Sequence, residues 1–263
     1  MLKMKNQSWI HCLIKFRKKK NEVKKFDVKN NIAEQVMTEI TSIVAKEKLN
    51  LCLVNASSDG RVNSSLQEDI VTDFLRTSKD INNILTKYNL QLNIPKDREW
   101  FDFCLFDTNM ETFIPVNIKI STTKTADSVS SKKGLYYACT GVLPYNNTFD
   151  IDDTENSLKS NKWTEFYKKL KRDCDKHIDR DYYFLIVNKT DTSDVFYTSL
   201  KTLKVLSPNG NNLPFLCNWG QNRERVFRTH TEARKFLLKN FYLSLELSCK
   251  SVKLGLEILK KLS

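Results

Sequence analysis

The sequence predicts a mixed α/β or α+β domain. Three observations carry this expectation. Apolar residues recur at helical spacing over 31–49, 64–76 and 158–178. Strand-like runs, alternating or continuously apolar, lie at 101–107, 112–120 and 181–188. Their order is helices, then a strand hairpin, then helix and strand in alternation.

Taken in order, residues 31–49 form an amphipathic helix with Ile32, Val36, Ile40, Ile43 and Val44 on one side. "NASSDGRV" (55–62) is turn chemistry. A second helix runs from 64 to 76, with Leu66, Ile70, Phe74 and Leu75 as its buried stripe. A polar stretch follows. "FDFCLFD" (101–107) and the strand at 112–120 form a hairpin around "DTNME". Residues 130–141 form a helix that stops at Gly141. The helix at 158–178 carries Trp163, Phe166, Tyr167, Leu170, Cys174 and Ile178 on one side. Strands are expected at 181–188 and 194–200, a turn or loop at 207–212 and a short strand at 224–230. From Thr231 onward the chain reads as helix.

A chain of 263 residues without internal repeat or clean linker is expected to be one domain spanning 1–263, long enough to bury a core without staples. No apolar run approaches the ~18 residues of a membrane span, and the N-terminus lacks the pattern of a signal peptide. The seven cysteines are evenly spread with no CxxC pair, which points to reduced thiols in a cytoplasmic compartment. Cys174 and His177 have ligand-like spacing, but no second pair completes a metal site. Formal net charge is +12, so the expected partner is polyanionic. Half of that excess sits between Lys15 and Lys25, within a basic segment at 1–30 that reads either as a solvated arm or as a phosphate-tracking one. No phosphate-binding G-x-x-x-x-G-K-[ST] loop and no G-x-G-x-x-G occur. Three histidines leave little material for a histidine-based nuclease.

The chemistry concentrates in "FIPVNIKIST" (113–122). Ile114, Val116, Ile118 and Ile120 share one strand face; Asn117 and Lys119 share the other, about 7 Å apart by strand rise. If the two strands pair, Asp102 reaches the same place. A carboxylate and an amide oxygen are hard donors suited to Mg²⁺, and an adjacent lysine can orient or deprotonate a water. The plainer reading is a solvated strand face.

"FDFCLFDTNMETFIPVNIKIS" resembles the active-site hairpin of the PD-(D/E)xK nucleases, type II restriction endonucleases above all. Asp102 falls on the family's first Asp and Lys119 on its lysine, while Asn117 stands where most members carry Asp or Glu. The N-I-K triplet together with the later C-T-G at 139–141 is similar to members that have Asn there, and "LCNWGQN" (216–222) and the long final helix loosely resemble others. The resemblance is densest over 99–142. It implies a restriction-endonuclease-like core with a mixed central sheet flanked by helices. It also implies Mg²⁺ as cofactor, with Asp102, Asn117 and the Ile118 carbonyl as ligands. Asp102, Asn117, Lys119 and Glu68 would then be the catalytic group. Ser65 and Glu68 can equally form a helix capping box. Double-stranded DNA is the implied partner, bound as a monomer or as a homodimer, and a cognate DNA methyltransferase is the expected companion. Lost acidity at Asn117 leaves a non-cleaving binding protein as an alternative, and a repair or junction nuclease as another.

Two segments suit DNA contact. Ser121, Thr122, Thr123, Lys124, Lys132 and Lys133 are hydroxyl-rich and basic, fit for phosphates, or else form a polar loop. Asn218, Gln221, Asn222, Arg223, Arg225 and Arg228 are of the types that read base edges, or else form a charged hairpin.

Overall fold

The computed structural model describes residues 31–52, 60–95, 99–144, 160–176 and 178–262. The basic segment at 1–30, most of the turn at 55–62, and His177 lie outside these residues.

Six helices and eight strands are described. Helix α1 (Ile32–Glu47) opens on Asn31, whose side chain accepts the Ala33 N–H at 3.0 Å. Next come α2 (Gly60–Thr77), α3 (Lys79–Lys87) and β1 (Gln91–Asn93). The hairpin consists of β2 (Phe103–Phe106) and β3 (Phe113–Ser121), followed by β4 (Ala126–Val129), α4 (Lys132–Thr140) and α5 (Ser160–Asp173). The chain ends with β5 (Tyr183–Asn188), β6 (Val195–Ser199), β7 (Ser207–Pro208), β8 (Phe215–Asn218) and α6 (His230–Leu262). Gly141 ends α4 at φ 67°, and a Cβ there would fall 2.3 Å from the Ile178 carbonyl oxygen, so the predicted stop is enforced by conformation and by space.

The main sheet has the order β1-β2-β3-β5-β6. It is mixed: β3 and β5 are parallel and the other pairs antiparallel. A second sheet, β4-β8-β7, is antiparallel. One face of the main sheet, with Phe103, Leu105, Ile114, Val116, Ile118, Leu185 and Val187, packs on apolar residues of α1, α2 and α3. The other, with Cys104, Phe113, Phe184 and Ile186, packs on α4, α5, α6 and the small sheet. Strand β5, "YFLIVN", is covered on both faces, which is why its sequence is continuously apolar rather than alternating.

The α/β expectation holds, with corrections at the level of elements. The stretch at 78–95 contains α3 and β1, and β4, β7 and β8 are short strands where loops or unassigned chain were expected. Residues 224–230 form no strand. Helix α2 starts at Gly60, so Ser65 lies inside it and the Ser65–Glu68 capping box does not exist. Leu66 is 43% exposed and Ile32 42%; Val71 and Leu75 carry the α2 contact. On α5 and beyond it, Phe166, Leu170 and Cys174 are buried, whereas Tyr167 and Ile178 are exposed. Six cysteines lie among the described residues, all as free thiols. No helix of the described residues is long and apolar enough to cross a membrane.

Candidate functional site

Register is set by the hairpin turn. The Asp107 carboxylate accepts the backbone N–H groups of Asn109, Glu111 and Thr112 at 3.1, 3.0 and 2.9 Å. Pairing then places Phe103 opposite Val116, which brings Asp102, one residue ahead of β2, opposite Asn117. The Asp102 N–H donates to the Val116 carbonyl at 2.9 Å, and its carboxylate accepts the Ile118 N–H at 2.5 Å. Since N–H and C=O of one strand residue point to the same side, the Ile118 carbonyl faces this same edge, where β2 has ended. The Ile118 side chain is fully buried on the opposite face. Asn117 and Lys119 are half-buried and stand on the face of Phe184 and Ile186.

Asp102 is half-buried, and burial pushes its pKa up, against the Ile118 N–H and the Lys119 charge, which pull it down. Glu68, on α2, feels the charges of both Asp102 and Lys119. Burial, then the Asp102 charge, push its carboxyl up to about 7, while Lys119 pulls it down. These mutual charge effects place Glu68, Asp102 and Lys119 in one neighbourhood. Asp69, the next residue on α2, is exposed.

Among the described residues no three His, Cys, Asp or Glu side chains converge as a metal set. The donors on hand are two carboxylates, the Asn117 amide and the Ile118 carbonyl. They are all hard oxygen donors, and the half-buried carboxylates are opposed by one ammonium. Donors of this kind fit a small divalent cation.

The strain at Glu68 has a measurable sign. Between pH 4.5 and about 7 the unfolded chain ionises Glu68 while the folded chain resists. Stability from this group is therefore full below pH 4.5 and lost as pH rises through 7. In metal-free protein, Glu68→Gln is expected to raise the Tm by a few degrees at pH 8 and to change little at pH 4.5; scanning calorimetry at the two values checks it.

The two segments expected to contact DNA meet beside this site. The Gly220 N–H donates to the Thr123 carbonyl at 3.0 Å, and the Asn218 side-chain amide donates to the Lys124 carbonyl at 2.9 Å. Trp219 Nε1 donates to Asp127 Oδ2 at 2.5 Å. Thr123 sits at φ 63°, a strained place for a β-branched residue, and a Cβ on Gly220 would fall 2.6 Å from the Thr123 oxygen. Ser121 is buried, and its hydroxyl accepts the Thr123 N–H. Thr122, Thr123, Lys132 and Lys133 are half-buried, while Lys124 and Gln221 are exposed.

Four residues expected to read bases have other partners. Asn222 is fully buried, bonded to both the N–H and the carbonyl of Val205 and to the Asn218 carbonyl, so it cannot reach a base edge. Arg223 makes a two-point ion pair with Asp194 at 2.8 and 2.5 Å and lies 4.4 Å from the centre of the Phe196 ring. Arg225 pairs with Glu34 of α1 at 2.5 Å, and Glu34 is only 2% exposed. Arg228 donates to the carbonyls of Lys201 and Leu203 and lies over Phe236. These arginines bind the 223–228 segment to the body.

Sequence reading missed Asp127, which holds Trp219, and Lys189, whose N–H donates to the Ser121 carbonyl at 3.1 Å. A usable signal existed for Lys189: "NKTDTSD" is turn chemistry at the carboxyl end of a strand, where α/β sheets place their ligands. No family model matches the chain, and no curated protein matches it.

Proposed function

We propose that the protein is a Mg²⁺-dependent endonuclease that hydrolyses phosphodiester bonds at a specific short sequence in double-stranded DNA, as type II restriction endonucleases do. One observation carries this reading: Asp102 lies opposite Asn117 and is bonded to the Ile118 N–H, next to Lys119 on β3, and the charges of Asp102 and Lys119 both act on Glu68, just ahead of the basic and hydroxyl-rich segment at 121–124. Asp102, Asn117, the Ile118 carbonyl and Glu68 would hold Mg²⁺. A bound Mg²⁺ stabilises charge on a phosphoryl oxygen and activates the attacking water. Lys119 orients that water and takes part in moving its proton. Asp102 holds the end of β3 in place through the Ile118 N–H. With an amide at 117 the site carries one negative charge fewer than a carboxylate there would give, so cation affinity would lean on the DNA phosphate. On this reading the protein works in the cytoplasm as part of a restriction system, alongside a DNA methyltransferase that protects the host sites.

Asn117 also favours a second reading, a DNA-binding protein that no longer cuts. Incubating the protein with a plasmid of diverse sequence, in Mg²⁺ and in EDTA, separates the two. Discrete Mg²⁺-dependent fragments are expected, and sequencing their ends gives the site. A smear indicates a repair-type or nonspecific nuclease of the same chemistry. Retarded but intact DNA in Mg²⁺ sinks the cleavage reading and leaves the binding protein.

A further inference from the structure

A cleft of about 490 Å³ opens beside the candidate site, between the residues that follow α1 and the turn after β5. Lys48, Asn50 and Gln67 line one side, and Lys189, Thr190 and Thr192 the other. The described lining holds two ammonium groups, several amides and hydroxyls, and no carboxylate. Acceptor-rich anions suit such a surface; cations do not.

Both walls are fixed in advance. Gln67 Nε2 donates to the Leu51 carbonyl at 2.9 Å, tying α2 to the segment after α1. Lys48 ends α1 in the left-handed region at φ 50°, and the Asn50 side chain accepts the Cys52 N–H at 3.1 Å. Across the cleft, Asn188 accepts the N–H and hydroxyl of Thr190 and donates to Asp194. The cleft's lining is joined to the site through the chain. Gln67 precedes Glu68 on α2, and Lys189 is bonded to Ser121, two residues beyond Lys119.

We infer that this cleft is the seat of the DNA backbone flanking the scissile phosphate, with Lys48 and Lys189 each neutralising one phosphate. This rests on the DNA-cleaving reading above. The chemistry fits a strand that continues past the site: a cation on each wall can neutralise a phosphate, and the hydroxyls and amides of the lining can donate to phosphate oxygens.

The test compares wild type with the double variant Lys48→Asn, Lys189→Gln. Asparagine is chosen at 48 because it tolerates the left-handed backbone. Binding of a fluorescein-labelled duplex of mixed sequence is measured by anisotropy across a salt series in EDTA, where no cutting occurs. Each lost phosphate contact removes ~0.9 from the slope of log affinity on log salt, so the variant's slope should fall by about 1.8. An unchanged slope in a variant of normal Tm overturns the inference while leaving the nuclease reading intact. Failure of the wild type to bind the duplex at all overturns that reading, and this inference with it. Exposed Cys52 lines the cleft, and exposed Cys249 lies on α6 outside its lining. Saturating duplex is expected to slow alkylation of Cys52 several-fold and leave Cys249 unchanged. Equal alkylation of Cys52 with and without DNA also overturns the cleft as the DNA seat.

Discussion

Replacing Lys119 by methionine is expected to slow Mg²⁺-dependent cleavage about 10²- to 10⁴-fold, the range that a positioned proton-transfer group supplies. Methionine keeps an unbranched stem against β5, so packing changes little. The loss should fall on the rate of a single turnover with DNA affinity nearly unchanged, because Lys119 acts on the water and not on the grip. A second readout comes from Glu68. The Lys119 charge pulls its carboxyl down, against burial and the charges of Asp102 and Asp69, so carbon-detected NMR of the variant should show Glu68 titrating at still higher pH. A variant that cuts at the wild-type rate would remove Lys119 from the reaction.

Asp102 separates charge from hydrogen bonding. Asp102→Asn keeps an oxygen to accept the Ile118 N–H but lacks the negative charge. It should fold with near-wild-type stability, lose measurable Mg²⁺ binding in calorimetry and fail to cut. Asp102→Ala should also fail to cut, and it leaves the Ile118 N–H without its acceptor. The expected further cost is about 1–3 kcal/mol in chemical denaturation. If Asp102→Asn cuts normally, the carboxylate serves only to finish the strand.

How much of this was legible in the sequence depended on the range of the interactions involved. The β2–β3 hairpin was readable because alternation and the "DTNME" turn are local, and register alone then brings Asp102 to Asn117. The Gly141 stop was readable because few residues other than glycine accept the left-handed backbone. Glu68 was ambiguous: a capping box is a local pattern, and only the true start of α2 at Gly60 dissolves it. The strands β1, β4, β7 and β8 have two to four residues each, too few for a period to show. The arginines of 223–228 misled most. Sequence shows a guanidinium but not its partner, and those partners, Asp194 and Glu34, lie 29 and 191 residues away.

The Glu34–Arg225 pair also bears on the order in which the chain can close. Glu34 leaves the ribosome early and Arg225 late. Until the later residue emerges, the first helix has no counter-ion for a carboxylate that the finished fold encloses. Removing one partner of such an enclosed pair costs about 3–5 kcal/mol. The helical layer on that face of the sheet therefore gains this counter-ion only from a residue 191 positions further along the chain. Together with the parallel β3–β5 contact, which also joins distant residues, this makes folding depend on long-range closure, which is slow.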